Sequence, residues 1–529
     1  MRSQTAPRHV LAFACSCVAL LVVGCTPSGN GATAASNAPV AASSSAPAGA
    51  TTASYASAPC PNPIYPGVPA LDLGPQFDCG YLTVPASRRD PNGPTIRLAV
   101  ARATATSPNP APDPLVYLTG GPGGSGLLSA VPKVDAGWNA DRDVIFLEQR
   151  GTWKSEPLLA CPEIDAFLAE WVTLNSLDPA TAEKSGAAAR TCRDRLVAEG
   201  RNPADFTTTE NAADVADLRV ALGIDQWSLY GVSYGTDLAL QTLRNHPEGI
   251  RSVVLDSVVP PNENVLEHFW LSAATGYRQL FDDCAAVPAC ATAHPTLEAD
   301  FTALVVDLAK NPRTVQVADP TQGRDVPVVI DGYKVANLVV TSSLVPGQIA
   351  PVPGIIDNLA RGDGSLAAQR IAAGVPPSGV TSYGLALGVF CSEHAAFTNQ
   401  ERVVAGARAV LPEFPDTVLA HGPQVPFIFG VCAQWSVPAA PASAAAPVTS
   451  DVPVLILSGA LDAVTAPPNG QAVAAGLRNA TTVEFPDAAH DVTFWSTACG
   501  VAVMRSFLSD PARVDRSCVD TLATAPAFS

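Results

Sequence analysis

The chain has little charge and few aromatic side chains: of its 529 residues, 15% are Asp, Glu, Lys or Arg, and 6% are Phe, Trp or Tyr. Basic residues are the scarcer sign, 31 against 48 acidic, for a formal net charge of −17. Such a surface repels phosphate, which argues against nucleic acid as a partner. It favours solubility and names no partner of its own. No two cysteines stand in a CxxC spacing, so a structural zinc site lacks its usual ligand pattern. The lysine-bearing GxxxxGK[ST] loop is also missing, which speaks against a nucleotide phosphate cradle. Neither a metal nor an organic cofactor is called for.

The first residues do not read as part of a fold. "MRSQTAPRHV" supplies Arg2 and Arg8, and "LAFACSCVALLVV" is an apolar run too short for a comfortable membrane span. It ends in "LVVGC", which resembles the lipobox of bacterial lipoproteins. That resemblance implies a signal peptide over 1–24, cleavage before Cys25, and lipid on the Cys25 sulfur and amine. Each buried methylene adds about 0.8 kcal/mol, so a multiply acylated Cys25 anchors the protein at a membrane. The expectation is an exported lipoprotein on the outer face of the cell membrane. Residues 25–58, rich in Ala, Ser, Thr, Gly and Pro, read as a disordered tether, because they carry too little bulky apolar surface to offset the entropy of ordering.

Of 13 cysteines, Cys15 and Cys17 leave with the signal and Cys25 carries the lipid, so ten remain in an oxidising compartment. They fall into sequence-near pairs: Cys60 with Cys79, Cys161 with Cys192, Cys284 with Cys290, Cys391 with Cys432, and Cys499 with Cys518.

Eight short runs rich in branched residues read as strands: 80–85, 96–103, 114–120, 143–151, 227–231, 252–257, 452–459 and 481–485. The central ones are almost continuously apolar, as in strands covered by helices on both faces. Helix-compatible segments alternate with them, which predicts an α/β fold with a mostly parallel central sheet. Between about Pro260 and Pro447 the alternation lapses into helix-like and proline-rich sequence. The reading is a core over 59–260 and 448–529, interrupted by a mainly helical cap over 261–447.

Within the core, Gly231-Val232-Ser233-Tyr234-Gly235 matches G-x-S-x-G between a strand and a helix. A serine at such a bend is strained outward, and its neighbours must be small enough for strand and helix to pass. The hydroxyl becomes nucleophilic only when an oriented base takes its proton. His490 follows the last strand in a polar turn, and Asp462 follows the strand before it. The order Ser233, Asp462, His490 is the chain order expected of a hydrolase triad. Asp256, at the end of 252–257, is the rival acid; Asp487 and Asp491 lie too near His490 in sequence to orient it easily. For the oxyanion, the amide of Tyr234 and one from "YLTGGPGGSG", that of Gly121, are the candidate donors.

Four stretches, "TGGPGGSG", "EQRGT", "GVSYGT" and "SGALDAVTAP…AAH", together resemble the proline iminopeptidase and tripeptidyl aminopeptidase branch of the α/β-hydrolases. The chain is also similar to exported actinobacterial lipoprotein members with a tripeptidyl-aminopeptidase-like C-terminal segment. Thr119 stands where that family has histidine before GGPG, Glu148 where it has the aspartate of DQRG, and Ala466 where a proline commonly follows threonine. The resemblance implies an α/β-hydrolase fold and a serine aminopeptidase, in which Thr465 supports the acid's loop and acidic residues bind the substrate amine. Glu393 is the first candidate for that last role, with Glu148 and Glu267 behind it. Two other readings stay open: an esterase acting on acyl esters of the cell envelope, whose catalytic groups would be the same, and a surface lipoprotein that only binds.

Overall fold

The computed structural model describes residues 53–61, 73–319 and 324–528. The expected signal peptide, Cys25 and the first part of the tether lie outside them. Eleven strands are described: β1 (Ser54–Ser57), β2 (Phe77–Pro85), β3 (Thr95–Ala103), β4 (Leu115–Leu118), β5 (Val144–Leu147), β6 (Trp227–Val232), β7 (Ile250–Asp256), β8 (Arg313–Asp319), β9 (Arg324–Ile330), β10 (Val454–Gly459) and β11 (Ala480–Phe485). Nine of them form one sheet in the order β1-β2-β3-β5-β4-β6-β7-β10-β11. β1, β2 and β3 join antiparallel, β3 meets β5 antiparallel, and every pairing from β5 to β11 is parallel. This is the α/β-hydrolase fold.

β4, β5, β6 and β10 are buried at every position, the signature of parallel strands covered on both faces. One face packs Trp138, Met504 and Phe507 over Tyr117, Phe146 and Leu457. The other packs Val215, Leu218, Leu238 and Leu477 over Val116, Leu229 and Ile456. Register then sets the site. Asp256 pairs with Val232 on one side and Leu457 on the other, so the ends of β6, β7 and β10 come level. Ser233, Ser257 and the loop after Gly459 leave from that edge, where ligands bind in open α/β sheets.

A third core belongs to the cap, and it departs from the sequence reading in two ways. It takes in Leu159, Phe167, Leu168, Cys192, Leu196 and Phe206 together with Trp270, Tyr333 and Leu338, so a stretch before the nucleophile strand packs with the cap. The cap also holds a two-stranded sheet, β8 with β9, which the reading of a mainly helical cap did not include. Lys334 pins these pieces together: its Nζ donates to the carbonyls of Leu174 at 2.7 Å and Val329 at 2.9 Å. Burial pulls the Lys334 ammonium down to about 8.

The tether reading also needs correction at its end. Ser54–Ser57 pair antiparallel with Gly80–Thr83, and the Tyr55 hydroxyl would lie 2.4 Å from a Cβ placed on Gly80. An edge strand needs only backbone partners and a place for its one large side chain. The bare Gly80 supplies that place. All five sequence-near cysteine pairs are disulfides in the structure, Cys60–Cys79, Cys161–Cys192, Cys284–Cys290, Cys391–Cys432 and Cys499–Cys518.

Candidate active site

Ser233 sits between β6 and the helix Tyr234–Asn245 at φ 55°, ψ −128°. A non-glycine residue at such a φ carries strain of roughly 1–3 kcal/mol. The surroundings hold it there. Its N–H donates to the Asp256 carbonyl at 3.0 Å. A Cβ on Gly231 would meet the Gly235 carbonyl oxygen at 2.2 Å, and one on Gly235 the Leu118 oxygen at 2.0 Å. Both glycines are therefore required by contact with backbone.

The imidazole of His490 meets Asp462: Nδ1 lies 3.0 Å from Oδ2. Asp462 is itself fixed, with Oδ1 accepting from the N–H groups of Val464 at 2.8 Å and Thr465 at 2.9 Å. The Thr465 hydroxyl donates to Asp462 Oδ2 at 2.8 Å and lies 3.1 Å from His490 Nδ1. Burial opposes ionisation of Asp462, but the His490 charge and these hydrogen bonds win and hold its carboxyl below the usual range. Burial likewise opposes protonation of His490, and the Asp462 charge and hydrogen bond outweigh it, raising the imidazole above its ordinary value.

Asp256 has another task. Its carboxylate accepts from Tyr230 Oη, from Val492 N at 2.8 Å and from Thr493 N at 3.1 Å. It latches the turn that carries His490 to the strand that ends in Ser233. Burial, with the nearby charge of Asp491, lifts the Asp256 carboxyl to about 6. The backbone of His490 is held by the cap, its main-chain N–H donating to the Ser343 carbonyl at 3.1 Å. Nothing in the sequence around Ser343 signals that contact, since it arises only when the cap folds over the sheet.

The glycine loop approaches the serine from β4. A Cβ on Gly120 would stand 2.7 Å from Ser233 Cβ, and the Gly124 N–H closes a turn on the Gly120 carbonyl at 3.2 Å. Gly121 lies inside this turn at φ 120°. Tyr234 is the first residue of its helix, so its N–H has no intrahelical acceptor. The cap closes on the same loop, the Ser382 N–H donating to the Gly123 carbonyl at 2.9 Å.

The carboxylates expected at the substrate amine are engaged elsewhere. Glu148 is fully buried and takes hydrogen bonds from Ser125 Oγ, Leu127 N at 3.0 Å and Thr152 Oγ1 at 2.6 Å. It braces the glycine loop, as its neighbours brace other parts. Gln149 Nε2 donates to the Thr119 carbonyl at 2.9 Å, and Arg150 pairs with both oxygens of Asp214 at 2.8 Å. Glu393 is 7% exposed and accepts the Thr208 N–H at 2.7 Å. Burial and the charge of Asp237 lift its carboxyl to about 8, which disfavours the ionised form that an ammonium would need as its partner. Glu267 is bound by Thr398 Oγ1 and by Arg402 at 3.1 Å. Among the described residues, no group of three or more His, Cys, Asp or Glu side chains is placed to hold a metal ion.

Residues 113–497 match the α/β hydrolase fold family. The tripeptidyl aminopeptidase of Streptomyces lividans is 33% identical over 205 residues, 36% of this chain and 37% of that protein. Serine protease Hip1 of Mycobacterium tuberculosis is 25% identical over 450 residues, covering 80% of this chain and 83% of that one. The chain thus spans little more than a third of the length of the Streptomyces relative it matches. The crystal structure of proline iminopeptidase from Mycobacterium smegmatis aligns at 16% identity and a TM-score of 0.38, over 82% of this chain and 98% of that one, a likeness too loose to bear on function. With a family match over most of its length, the chain belongs to the α/β-hydrolase fold family.

Proposed function

We propose that this protein is an exported serine peptidase that removes short N-terminal segments from peptides through an acyl-enzyme. Ser233 attacks the scissile carbonyl. His490 takes the proton from Ser233 and returns it to the leaving amine. Asp462 holds the imidazole and stabilises its cation, and the amides of Tyr234 and Gly121 bind the oxyanion. The observation that carries the reading is the buried Asp462–His490 pair at 3.0 Å, latched through Asp256 to the strand that presents Ser233. The peptide substrate and the N-terminal preference rest on relatives named tripeptidyl aminopeptidase and serine protease. Export and lipid anchoring at Cys25 rest on the "LVVGC" sequence and on the five disulfides, which suit an oxidising compartment.

The test is a peptide-library digest with wild type and Ser233→Ala side by side, together with a fluorophosphonate label. Turnover should fall by several orders of magnitude in the variant, and the label should disappear with it. Full cleavage by Ser233→Ala would remove the serine from the mechanism. A wild type that hydrolyses acyl esters and no peptide would move the assignment to an esterase.

A further inference from the structure

The acidic groups near the site are engaged, while one cation is not. Arg370, on the helix Ser365–Ala373, is partly buried and donates to two neutral acceptors, Gln348 Oε1 at 2.6 Å and Ser342 Oγ at 3.3 Å. Among the described residues, no Asp or Glu forms an ion pair with it. Burial pushes its guanidinium below the ordinary arginine value, and no carboxylate raises it again. The fully sheltered arginines are matched with acids, Arg150 with Asp214 and Arg142 with Asp113, whereas the partly buried Arg244 donates to the Ala444 and Ala446 carbonyls. Arg370 differs from it in facing a cleft.

The place is as informative as the charge. Ser342, which Arg370 touches, adjoins Ser343, whose carbonyl holds the N–H of His490 at 3.1 Å. A cleft in the cap lies between Trp171, Leu338 and Ile371, with Arg370 and Thr341 in its wall. Thr341 precedes Ser343 by two residues, about 3 Å along a helix axis. Two more atoms of residues in that wall, Asn337 Oδ1 and Gln424 Nε2, are buried with no protein partner. An apolar cleft with unmatched hydrogen-bonding atoms and an unpaired guanidinium suits a short amphipathic chain that ends in, or carries, an anion.

We propose that Arg370 binds a carboxylate of the substrate, with the adjoining side chain in the Trp171–Leu338–Ile371 cleft. The proposal rests on the peptidase reading for the nature of the ligand, but the binding itself does not depend on turnover. The planar guanidinium can offer two parallel N–H donors to a carboxylate, which a lysine could not match. The carboxylate is either the C-terminus of a short peptide or an acidic side chain within a longer one.

The experiment measures binding to the full chain carrying Ser233→Ala, by calorimetry, with two matched peptide pairs. One pair differs only in a free C-terminal carboxylate against a C-terminal amide. The other, amidated throughout, carries Glu against Gln near the cleavage position. In at least one pair the carboxylate peptide should bind about tenfold more tightly. Adding Arg370→Gln should bring that peptide down to the level of its neutral partner, with the melting temperature reporting that the fold is kept. A preference in the first pair alone identifies the C-terminus, and one in the second alone an acidic side chain. If neither carboxylate is preferred, or if the preference survives Arg370→Gln, the proposal fails. Wild-type cleavage of the same peptides is scored separately: an Arg370-dependent preference without any cleavage would overturn the peptidase reading and leave the carboxylate site standing.

Discussion

Lys133 Nζ lies 3.6 Å from Asp491 Oδ2, and Asp491 directly follows His490. The lysine is buried, with the rings of Trp138 at 4.4 Å and Tyr117 at 4.8 Å around its ammonium. Asp491 takes a left-handed conformation at φ 66° and donates its N–H to Ser257 Oγ at 2.9 Å. The cation, the strained residue and the Asp256 latch together fix the turn from which the imidazole projects.

Lys133→Met should therefore act on His490 without touching substrate. Removing one partner of a partly buried ion pair leaves the other charge undercompensated and costs about 1–3 kcal/mol. Thermal melting should show that loss, and the double variant Lys133→Met/Asp491→Asn should recover part of it. Asparagine keeps the acceptor for the Phe494 N–H, which Asp491 Oδ1 holds at 3.1 Å, and tolerates the same backbone conformation. In kinetics, kcat should fall more than KM rises. A change confined to KM would mean that the network does not position the base.

The acid limb of the pH profile reports the base itself. Catalysis needs neutral His490, and the Asp462 charge and hydrogen bond hold the imidazolium against the opposing effect of burial. The limb in kcat/KM should therefore lie above 6.5, the ordinary histidine value. Asp462→Asn should move it lower and reduce kcat by about 10⁴, as loss of the orienting acid does in serine hydrolases. A limb that stays in place in Asp462→Asn would separate Asp462 from His490.

All eight strands read from the sequence are present; the buried parallel ones among them write themselves as continuous apolar runs, as in "VLILSG" of β10. Ser233, Asp462 and His490 were legible for a related reason: each stands just beyond such a run. The two carboxylates Asp462 and Asp256 look alike in sequence, each at or a few residues past the end of a buried strand. Only the fold shows one facing His490 Nδ1 and the other capped by Val492 N and Thr493 N. β8 and β9 were missed since "RTVQVAD" and "RDVPVVI" mix charge with branched residues and lie in a segment otherwise read as helical. The roles given to Glu148 and Glu393 came from a family resemblance that fixes residue type and position. It does not fix how deeply the side chain lies.

Glu393 should reveal its burial through stability. Its carboxyl is raised by burial first and by Asp237 second, to about 8, against an ordinary glutamate value near 4.3 in an unfolded chain. Between those two values the folded protein holds a proton that the unfolded chain releases. Stability from this group therefore falls as pH rises through that window. Glu393→Gln keeps the acceptor for the Thr208 N–H and removes the titration, so melting temperature against pH should be flatter up to about pH 8 than in wild type. An unchanged slope would place the proton on another group of the cluster, such as Asp237, whose carboxyl burial lifts to about 7.

Gly120→Ala tests how closely the glycine loop must approach the serine. The added methyl would stand 2.7 Å from Ser233 Cβ, 2.9 Å from the Val232 carbonyl oxygen and 3.2 Å from Ser233 Oγ. The first two neighbours are a Cβ and a backbone oxygen, and neither is the free end of a flexible chain. Relief must come from moving the loop away from β6, carrying the Gly121 amide with it. A shift of about 1 Å in such a site can lower turnover a hundredfold. The rest of the loop is anchored by Glu148 through Ser125 and Leu127, so the fold should persist. The expected result is a protein with near-normal circular dichroism, a sharply lower kcat and slower fluorophosphonate labelling. Normal turnover in Gly120→Ala would show that the loop can retreat without loss, and would take the Gly121 amide out of the oxyanion site.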